Sequence, residues 1–413
     1  MAILKPFRGI RPQKNKVKLV ASKPYDVLND IEAKAEAGDN KYSFYHVIKP
    51  EIDFPLDVDH YSPEIYKKGK ANMDKMIADG TLFQDEKNCL YIYQQTMDGR
   101  KQTGLVGSAS VDDYVNNIIK KHELTRPDKE EDRKNHVRVS KMNYEPVFFA
   151  YPAVAAIDEI VHKIISGKSE YDFVADDGIG HSFWVVNDDA IIKQICELFS
   201  KIPYTYIADG HHRTAAAALV GKELGEKNKN HTGNEEYNFF LAVHFPDNQL
   251  KIFDYNRVIK DLNGLSSQDV ITKISENFIV EQMNNLFHPT GLHNFGMYLD
   301  GKWYSLTAKK GTYNDNDPIG VLDATILSEK ILKPILNIVD LRTDKRIDFV
   351  GGIRGFGELE RRVNSGEMKV AFALYAVSMK QLIDIADSGQ IMPPKTTWFE
   401  PKLRSGLVVH SLE

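Results

Sequence analysis

Cysteine is nearly absent from this sequence. The 413 residues include two cysteines, Cys89 and Cys196, which are far apart in the chain and outside any CxxC spacing. Such a pair excludes a disulfide framework and a cysteine-based zinc site. A reducing compartment is the simplest interpretation of this composition, and we expect a cytoplasmic protein.

Long apolar runs and a strong charge of one sign are also missing. No apolar run reaches the length of about 18 residues that a membrane span requires, and the first twenty residues lack the apolar region and cleavage site of a signal peptide. The formal net charge of −5 creates no overall field that would attract nucleic acid. We therefore expect no membrane partner, and nucleic acid is disfavoured as a partner. A local basic groove that binds nucleic acid remains an alternative.

Helical and strand-like segments alternate along the chain without an internal repeat, and the pattern begins again after about residue 260. The length suits two or three domains. We predict an α+β fold with domains over residues 1–260 and 261–413. Hairpins are predicted at Asp98-Gly99 and Asp300-Gly301, because Asp-Gly suits tight hairpin turns.

The most informative stretch is YIADGHHRTAAAALVG, residues 206–221. Alternating aromatic and β-branched residues over 204–208 predict a strand, and the alanine-rich run predicts a helix. The short connection requires a tight strand-to-helix turn, in which Gly210 can adopt a conformation that a Cβ would resist. The first N–H groups of such a helix lack partners within it, and the helix dipole adds positive charge. With the side chains of Arg213 and Thr214, these groups predict a phosphate-binding turn.

Alternatives remain open for the acid and the histidines of this turn. Asp209 is also a good helix-capping residue, and the histidines are also typical of a surface. Adjacent His211 and His212 point in different directions and rarely chelate one metal, so a structural zinc is disfavoured. A Mg²⁺ bridged by Asp209 and phosphate oxygens is more plausible.

The strand, the DGHHR turn and the alanine-rich helix resemble the core of the ParB/sulfiredoxin superfamily. That group includes free-serine kinases with a DGHHR-like turn, and in the superfamily this turn holds nucleotide phosphates. Most of the chain also resembles the family DUF1015. The matching segments are FRGIRP (7–12), PYDV (24–27), GLVGSASVDDY (104–114), KKHELTRPDKEEDR (120–133), IADGHHR (207–213), YNRVI (255–259) and MPPKTTWFEPKLRSGLVVH (392–410).

The resemblance implies a ParB/sulfiredoxin-like core that binds ATP or ADP, with Mg²⁺ as a possible companion, followed by a second α+β part. The turn has no cysteine, which disfavours the sulfinic reductase chemistry of sulfiredoxins.

Two further segments carry candidate site residues. Residues 111–137 predict helix with a break at Pro127, which would place Lys121, His122 and Glu123 within two helical turns. If they face the DGHHR turn, Glu123 is a candidate general base or metal ligand, and Lys121 and His122 are candidate phosphate ligands. A charged, solvated helix face is the alternative. In PYDV, an ordered turn after a proline favours a structural role over a direct catalytic one.

The C-terminal segment, residues 392–413, combines prolines, adjacent aromatic residues and cations. Prolines lower the entropy lost on ordering, and aromatic rings anchor a segment in a groove. We predict a strap that carries cations to the phosphate, with a mobile basic tail as the alternative. The candidate cations are Lys395, Lys402 and Arg404.

These observations favour a small-molecule phosphotransferase, in particular a nucleotide-dependent kinase of free serine or a similar hydroxylated metabolite, or the reverse reaction. Arg213 and the helix amides would hold phosphate, since phosphoryl transfer requires positioning and charge neutralisation. Asp209 or Glu123 would accept the substrate proton or bind Mg²⁺, and His211 and His212 would contact phosphate or substrate. The alternatives are a ParB-like nucleotide-binding regulator or DNA-associated protein, and a metal-dependent phosphohydrolase. No oligomeric state is indicated.

Overall fold

The computed structural model of the protein describes residues 1–55 and 57–413. They form two compact units: residues 1–250 together with 401–413, and residues 251–400. Helices and several separate sheets confirm the α+β class.

This division differs from the predicted domains, 1–260 and 261–413, most clearly at the C-terminus. Residues 401–413 belong to the first unit. The reason is backbone pairing within that unit, where Ser405 forms an antiparallel bridge with Ser22.

The first unit has strands throughout its length. They are β1 (Leu4–Lys5), β2 (Ile10–Pro12), β3 (Leu82–Gln84), β4 (Leu90–Met97), β5 (Arg100–Ser110), β6 (Ile119–Lys120), β7 (Met142–Asn143), β8 (Val147–Tyr151), β9 (Tyr171–Val174), β10 (Gly180–Val186), β11 (Thr205–Asp209) and β12 (Phe239–Pro246). The largest sheet of the described residues has nine strands, in the order β6-β11-β8-β12-β5-β4-β10-β9, with β1 paired to β5. Its β4–β5 hairpin turns at Asp98-Gly99, as predicted.

Helices cover this sheet and the segments beside it. They are α1 (Val17–Val20), α2 (Asp30–Ala37), α3 (Tyr45–Ile48), α4 (Pro63–Ala78), α5 (Val111–Val115), α6 (Pro127–Ser140), α7 (Ala155–Ile165), α8 (Asp189–Phe199) and α9 (His211–Lys227). The run from Ala215 to Ala218 is buried along α9, whose neighbours include α6 and strand β12. Small side chains allow a helix to approach its neighbours closely.

The pairing of β6 with β11 places two distant segments side by side. These strands are parallel, with Thr205 opposite Ile119 and Tyr206 opposite Lys120. Parallel strands end at the same edge of a sheet, so the residues after Lys120 lie beside those after Asp209.

The predicted helix through residues 121–126 is wrong. Helix α5 ends at Val115, Asn117 takes a left-handed conformation with φ 57°, and the chain then joins the sheet as β6. Helix begins again at Pro127, whose missing N–H and fixed φ suit a first helical position. The local helical pattern is therefore overridden by pairing with β11.

The second unit has its own sheet. Its strands are β13 (Ile252–Phe253), β14 (Tyr255–Ile259), β15 (Phe278–Met283), β16 (Asn294–Leu299), β17 (Lys302–Ala308), β18 (Ile347–Gly351), β19 (Val370–Ala373) and β20 (Trp398–Phe399), and its helices are α10 (Ser267–Asn277), α11 (Asp323–Leu327), α12 (Gly357–Asn364) and α13 (Met379–Ser388). The main sheet has the order β15-β17-β16-β19-β14-β18. The β16–β17 hairpin confirms the predicted turn at Asp300-Gly301.

The last strand, β21 (His410–Ser411), returns to the first unit and pairs with β7. None of the described helices combines the length and the apolar character of a membrane span.

Candidate functional site

The strand-to-helix turn has the predicted form. Strand β11 ends at Asp209, Gly210 is left-handed with φ 91° and ψ 33°, and α9 begins at His211. A Cβ at Gly210 would lie 3.2 Å from the Arg213 guanidinium nitrogens, so the conformation and the space both favour glycine. The strand lies one residue later than the predicted 204–208.

Arg213 organises the turn from inside the protein. Its Nη1 donates to the carbonyl oxygen of Pro146 at 2.7 Å and its Nη2 to Oδ2 of Asp209 at 3.0 Å. Its Nε is buried and has no acceptor in the described part of the chain. A buried donor without a partner costs about 1–3 kcal/mol, so one donor of this guanidinium remains to be satisfied. The role of Arg213 as a phosphate ligand stays a prediction.

Asp209 is held between two cations. Its Oδ1 lies 3.2 Å from Nζ of Lys402, opposite the bond from Arg213 to Oδ2. Burial alone would raise the pKa of Asp209, but the charges of Lys402 and Arg213 outweigh burial and lower this pKa to about 2. Asp209 is therefore ionised at neutral pH and is a weak proton acceptor. Each of its carboxylate oxygens already faces a cation. Its predicted contact with Mg²⁺ stays a prediction.

Of the predicted strap cations, Lys402 reaches the turn. Arg404 is buried near the β9–β10 hairpin, where Nε lies 3.2 Å from Nε2 of His181 and Nη2 pairs with Asp177. These contacts favour a structural role for Arg404. Lys395 belongs to the second unit, where its ammonium lies 5.7 Å from the ring centroid of Tyr255.

Thr214 bonds within its own helix. Its Oγ1 donates to the carbonyl oxygen of Gly210 at 3.0 Å, which stabilises the first turn of α9. This bond favours a structural role over phosphate binding.

The carboxylate of Asp26 also acts on the turn. Burial lowers the pKa of Arg213, but Asp26 and Glu145 outweigh it and hold this pKa above its usual value. Burial lowers the pKa of His212, and the charge of Asp26 opposes this effect. The side chain of Asp26 is exposed. The PYDV motif contains Asp26. A structural role was expected for this motif, and that expectation did not predict an effect of Asp26 on the turn.

A buried polar network fixes the PYDV segment. Oε1 of Glu145 accepts the Tyr25 N–H at 3.0 Å and the Ser405 hydroxyl at 3.2 Å. The Arg133 guanidinium lies 3.8 Å from the centroid of the Tyr25 ring. PYDV and the C-terminal strap are thus held by the same carboxylate, a connection that sequence reasoning missed.

His211 faces His122, and its predicted contact with phosphate or substrate stays a prediction. Their rings meet edge to face with centroids 4.5 Å apart. Both nitrogens of His122 and Nε2 of His211 are buried without a partner in the described residues. Burial lowers the pKa of His122 to about 4, and burial together with His122 lowers that of His211 far below its usual value. Both rings are neutral at pH 7 and do not add positive charge at the turn.

His212 points elsewhere. Its Nε2 accepts the backbone N–H of Arg126 at 3.0 Å, which connects the turn to the loop after β6. In that loop, Nζ of Lys121 lies 4.2 Å from the ring centroid of Tyr114. Glu123 lies with His122 and His211, and one ligand atom from each of these three falls within 4.8 Å of the others. The loop thus brings all three predicted residues, 121–123, close to α9, with His122 and Glu123 beside its first residue.

Comparisons with known proteins give a family and several similar structures. A free serine kinase in complex with AMP is 14% identical, with 74% of this chain and 91% of that chain covered and a TM-score of 0.35. A conserved hypothetical protein from Pyrococcus furiosus is 15% identical, with 74% and 95% covered and a TM-score of 0.36. SbnI with a C-terminal truncation, from Staphylococcus aureus, is 12% identical, with 74% and 87% covered and a TM-score of 0.38.

None of the curated proteins compared with the chain matches it. A family model described as a protein of unknown function, DUF1015, matches residues 4–325. Because this match covers more than half of the sequence, the chain belongs to the DUF1015 family.

Proposed function

We propose that this protein is a nucleotide-dependent phosphotransferase that moves a phosphoryl group between ATP or ADP and free serine or a similar small hydroxylated metabolite. One observation carries the proposal: the left-handed Gly210 leads from β11 directly into α9, beside the cations Arg213 and Lys402. The first amides of a helix have no acceptor within it and lie at the positive end of its dipole. Such a helix start suits a phosphate group.

Charge neutralisation is the main requirement of phosphoryl transfer, and Lys402 is well placed to supply it. The ammonium of Lys402 lies 3.2 Å from Oδ1 of Asp209, and as a point charge at the turn it attracts phosphate oxygens. Its side chain is partly exposed, at 15%, whereas that of Arg213 is 7% exposed. Lys402 therefore serves as the direct phosphate ligand, and Arg213 holds the turn in shape.

Asp26 is the better candidate for the proton acceptor. Asp209 is held between two cations with its pKa lowered to about 2, so it binds a proton weakly. The exposed carboxylate of Asp26 acts electrostatically on Arg213 and His212. A substrate hydroxyl near the turn would thus find an accessible base at Asp26, while any Mg²⁺ would arrive with the nucleotide phosphates.

The first test is ligand binding by the full-length protein. A thermal-shift series with ATP, ADP and AMP, each with and without L-serine, should show a rise in melting temperature, because a ligand of the folded state stabilises it by mass action. Incubation of ATP or ADP with L-serine should then yield phosphoserine, measured by phosphorus NMR. Absence of nucleotide binding would overturn the proposal, and nucleotide hydrolysis without phosphoserine would support a phosphohydrolase instead.

Conservative variants separate the roles of the two site residues. Arg213→Lys keeps the charge but loses the planar fork, and should weaken nucleotide binding by about tenfold. Arg138→Lys is the matched control, since Arg138 pairs with Glu223 on the surface between α6 and α9. Asp26→Asn should retain nucleotide binding and lose phosphoserine formation. If Asp26→Asn forms phosphoserine at the parent rate, the base lies elsewhere.

A further inference from the structure

We propose that His122, Glu123 and His211 form a binding site for a divalent first-row transition metal ion, of which Zn²⁺ is the simplest probe. The site is separate from a Mg²⁺ carried by a nucleotide. It does not depend on the proposed phosphotransfer, because it rests on a different set of side chains.

The fold brings these ligands together from two elements. His122 and Glu123 follow β6, and His211 is the first residue of α9, directly after β11. Since β6 and β11 are parallel neighbours, both segments leave the sheet at the same edge. Neither segment contains the complete set, so the site exists only in the folded first unit.

The distances suit a metal ion. One ligand atom from each of the three residues lies within 4.8 Å of the others. Metal–ligand bonds of about 2.0–2.2 Å keep ligand atoms roughly 3–4 Å apart, so a small rotation of the side chains is enough to close the site. Two imidazoles and one carboxylate are a donor set that zinc, iron and similar ions accept, with positions left for water or substrate.

The unsatisfied ring nitrogens point to a ligand. His122 is 1% exposed and His211 is 6% exposed, and three of their four ring nitrogens are buried without a partner in the described residues. Buried polar atoms are nearly always bonded, so these nitrogens call for an explanation. A metal ion at the centre of the cluster would satisfy one nitrogen of each ring at once.

Burial of a histidine is not sufficient for such a site, as His244 shows. Both of its ring nitrogens are also buried without a partner among the described residues. Its ring meets those of Phe149 and Phe199, and it is not part of either candidate metal cluster found in the described residues. His244 is a core histidine, and it provides the matched control.

The other candidate cluster in the described residues, Asp30, Glu51 and His60, already holds a cation. Nζ of Lys49 lies 2.6 Å from Asp30 and 3.2 Å from Glu51. An ammonium therefore occupies the position that a metal would take there.

The experiment measures metal content and requires no catalytic activity. Full-length protein is stripped with a chelator and titrated with Zn²⁺, and with Co²⁺ as a spectroscopic probe of the ligands. We expect one Zn²⁺ per chain and a visible Co²⁺ spectrum that reports nitrogen ligation. His122→Ala and His211→Ala should each weaken Zn²⁺ binding by more than about 100-fold, because loss of even an indirect partner commonly costs 10–100-fold.

Two further variants make the result decisive. His244→Phe should retain Zn²⁺ binding, since His244 is not a proposed ligand. Glu123→Gln changes one partly exposed side chain without changing its size, so it tests the site even if the histidine variants fail to fold. The proposal is overturned if the stripped protein binds neither ion. It is also overturned if folded His122→Ala, His211→Ala or Glu123→Gln binds Zn²⁺ as tightly as the parent.

Discussion

The two units of this protein differ in how they accommodate buried charge. In the first unit, buried arginines meet carboxylates at short range: Arg11 lies 2.8 Å from Asp85 and Arg133 lies 2.7 Å from Asp132. In the second unit, Arg257 is 1% exposed, and its Nε and Nη2 have no acceptor in the described part of the chain.

Asp323, a buried acid of the second unit, is also incompletely paired. Oδ2 of Asp323 is buried without a partner in the described residues, and its Oδ1 accepts the backbone N–H of His293 at 2.8 Å. Burial raises the pKa of Asp323 to about 7 and lowers that of Arg257 to about 10. Burial of a charge is costly unless an opposite charge offsets it. The first unit therefore pairs these buried charges, and those around Arg213 form a network at the DGHHR turn. In the second unit, burial shifts Asp323 and Arg257 toward their neutral forms.

The largest effect is expected when this network is broken at its centre. Arg213→Ala leaves Asp209 and Glu145 with less compensation, and loss of one partner of a buried pair costs about 3–5 kcal/mol. Denaturant unfolding of the first unit can be followed by Trp184 in a background where Trp303 and Trp398 are phenylalanine. The free energy of unfolding should fall by that amount.

Arg138→Ala is the control for this experiment. Arg138 forms a partly exposed pair with Glu223 at 2.8 Å. Such pairs contribute about 0–1 kcal/mol, so the loss should be small. Equal losses for the two variants would show that the paired charges of the turn do not stabilise the first unit.

A smaller effect, and one that increases the free energy of unfolding, is expected when Asp323 is replaced. Because the folded pKa is raised from 3.8 to about 7, the folded state keeps a proton that the unfolded chain has released between these values. Stability of the second unit therefore falls as pH rises from about 4 to about 7 and changes no further above it. Asp323→Asn removes this penalty and should raise the free energy of unfolding by roughly 2–4 kcal/mol at pH 8, with little change near pH 4.

The measurement is denaturant unfolding at both pH values, followed by Trp303. Asp344→Asn is the matched control, because the pair with Arg346 lowers the pKa of Asp344. That substitution should not stabilise the unit at pH 8. An equal gain for Asp323→Asn at both pH values would mean that packing, and not the charge, is responsible.

The parts of the site that are encoded locally were predictable from the sequence. Alternation over residues 204–208, the glycine at 210 and the alanines of α9 are close together in the chain, and together they predicted the turn. The position of His122 was not predictable in this way, because it depends on the pairing of β6 with β11. A helical pattern in 121–126 even pointed to the wrong local structure.

Charge partners show the same limit. The cations of the C-terminal segment predicted a strap, and Lys402 reaches Asp209. Sequence patterns do not separate Lys402 from Arg404. Arg404 contacts Asp177 and His181, and no sequence motif links their hairpin to the C-terminal segment. Tertiary packing alone distinguishes these two cations.

A third test separates phosphate binding from stability at Lys402. Lys402→Met keeps the length of the side chain and removes its charge. It should weaken nucleotide binding by about tenfold, or about 1.4 kcal/mol, if this ammonium contacts phosphate. Isothermal titration with ATP gives the affinity, and Lys380→Met is the control, since Lys380 pairs with Asp384 on the surface of the second unit. Unchanged affinity in Lys402→Met would restrict Lys402 to holding Asp209.

The smallest effect on stability is expected at two left-handed glycines, one in each unit. Gly210 has φ 91° and Gly301 has φ 74°. Alanine in this region costs about 1–2 kcal/mol, so Gly210→Ala and Gly301→Ala should destabilise their units to a similar extent. Their surroundings differ, because a Cβ at Gly210 meets the Arg213 guanidinium at 3.2 Å, whereas a Cβ at Gly301 meets no described atom within 4 Å. Only Gly210→Ala should therefore displace the arginine and weaken ATP binding, measured by titration at a temperature where both variants are folded. If both variants bind ATP like the parent, the shape of the turn does not determine binding, and the phosphate site must be sought elsewhere in the first unit.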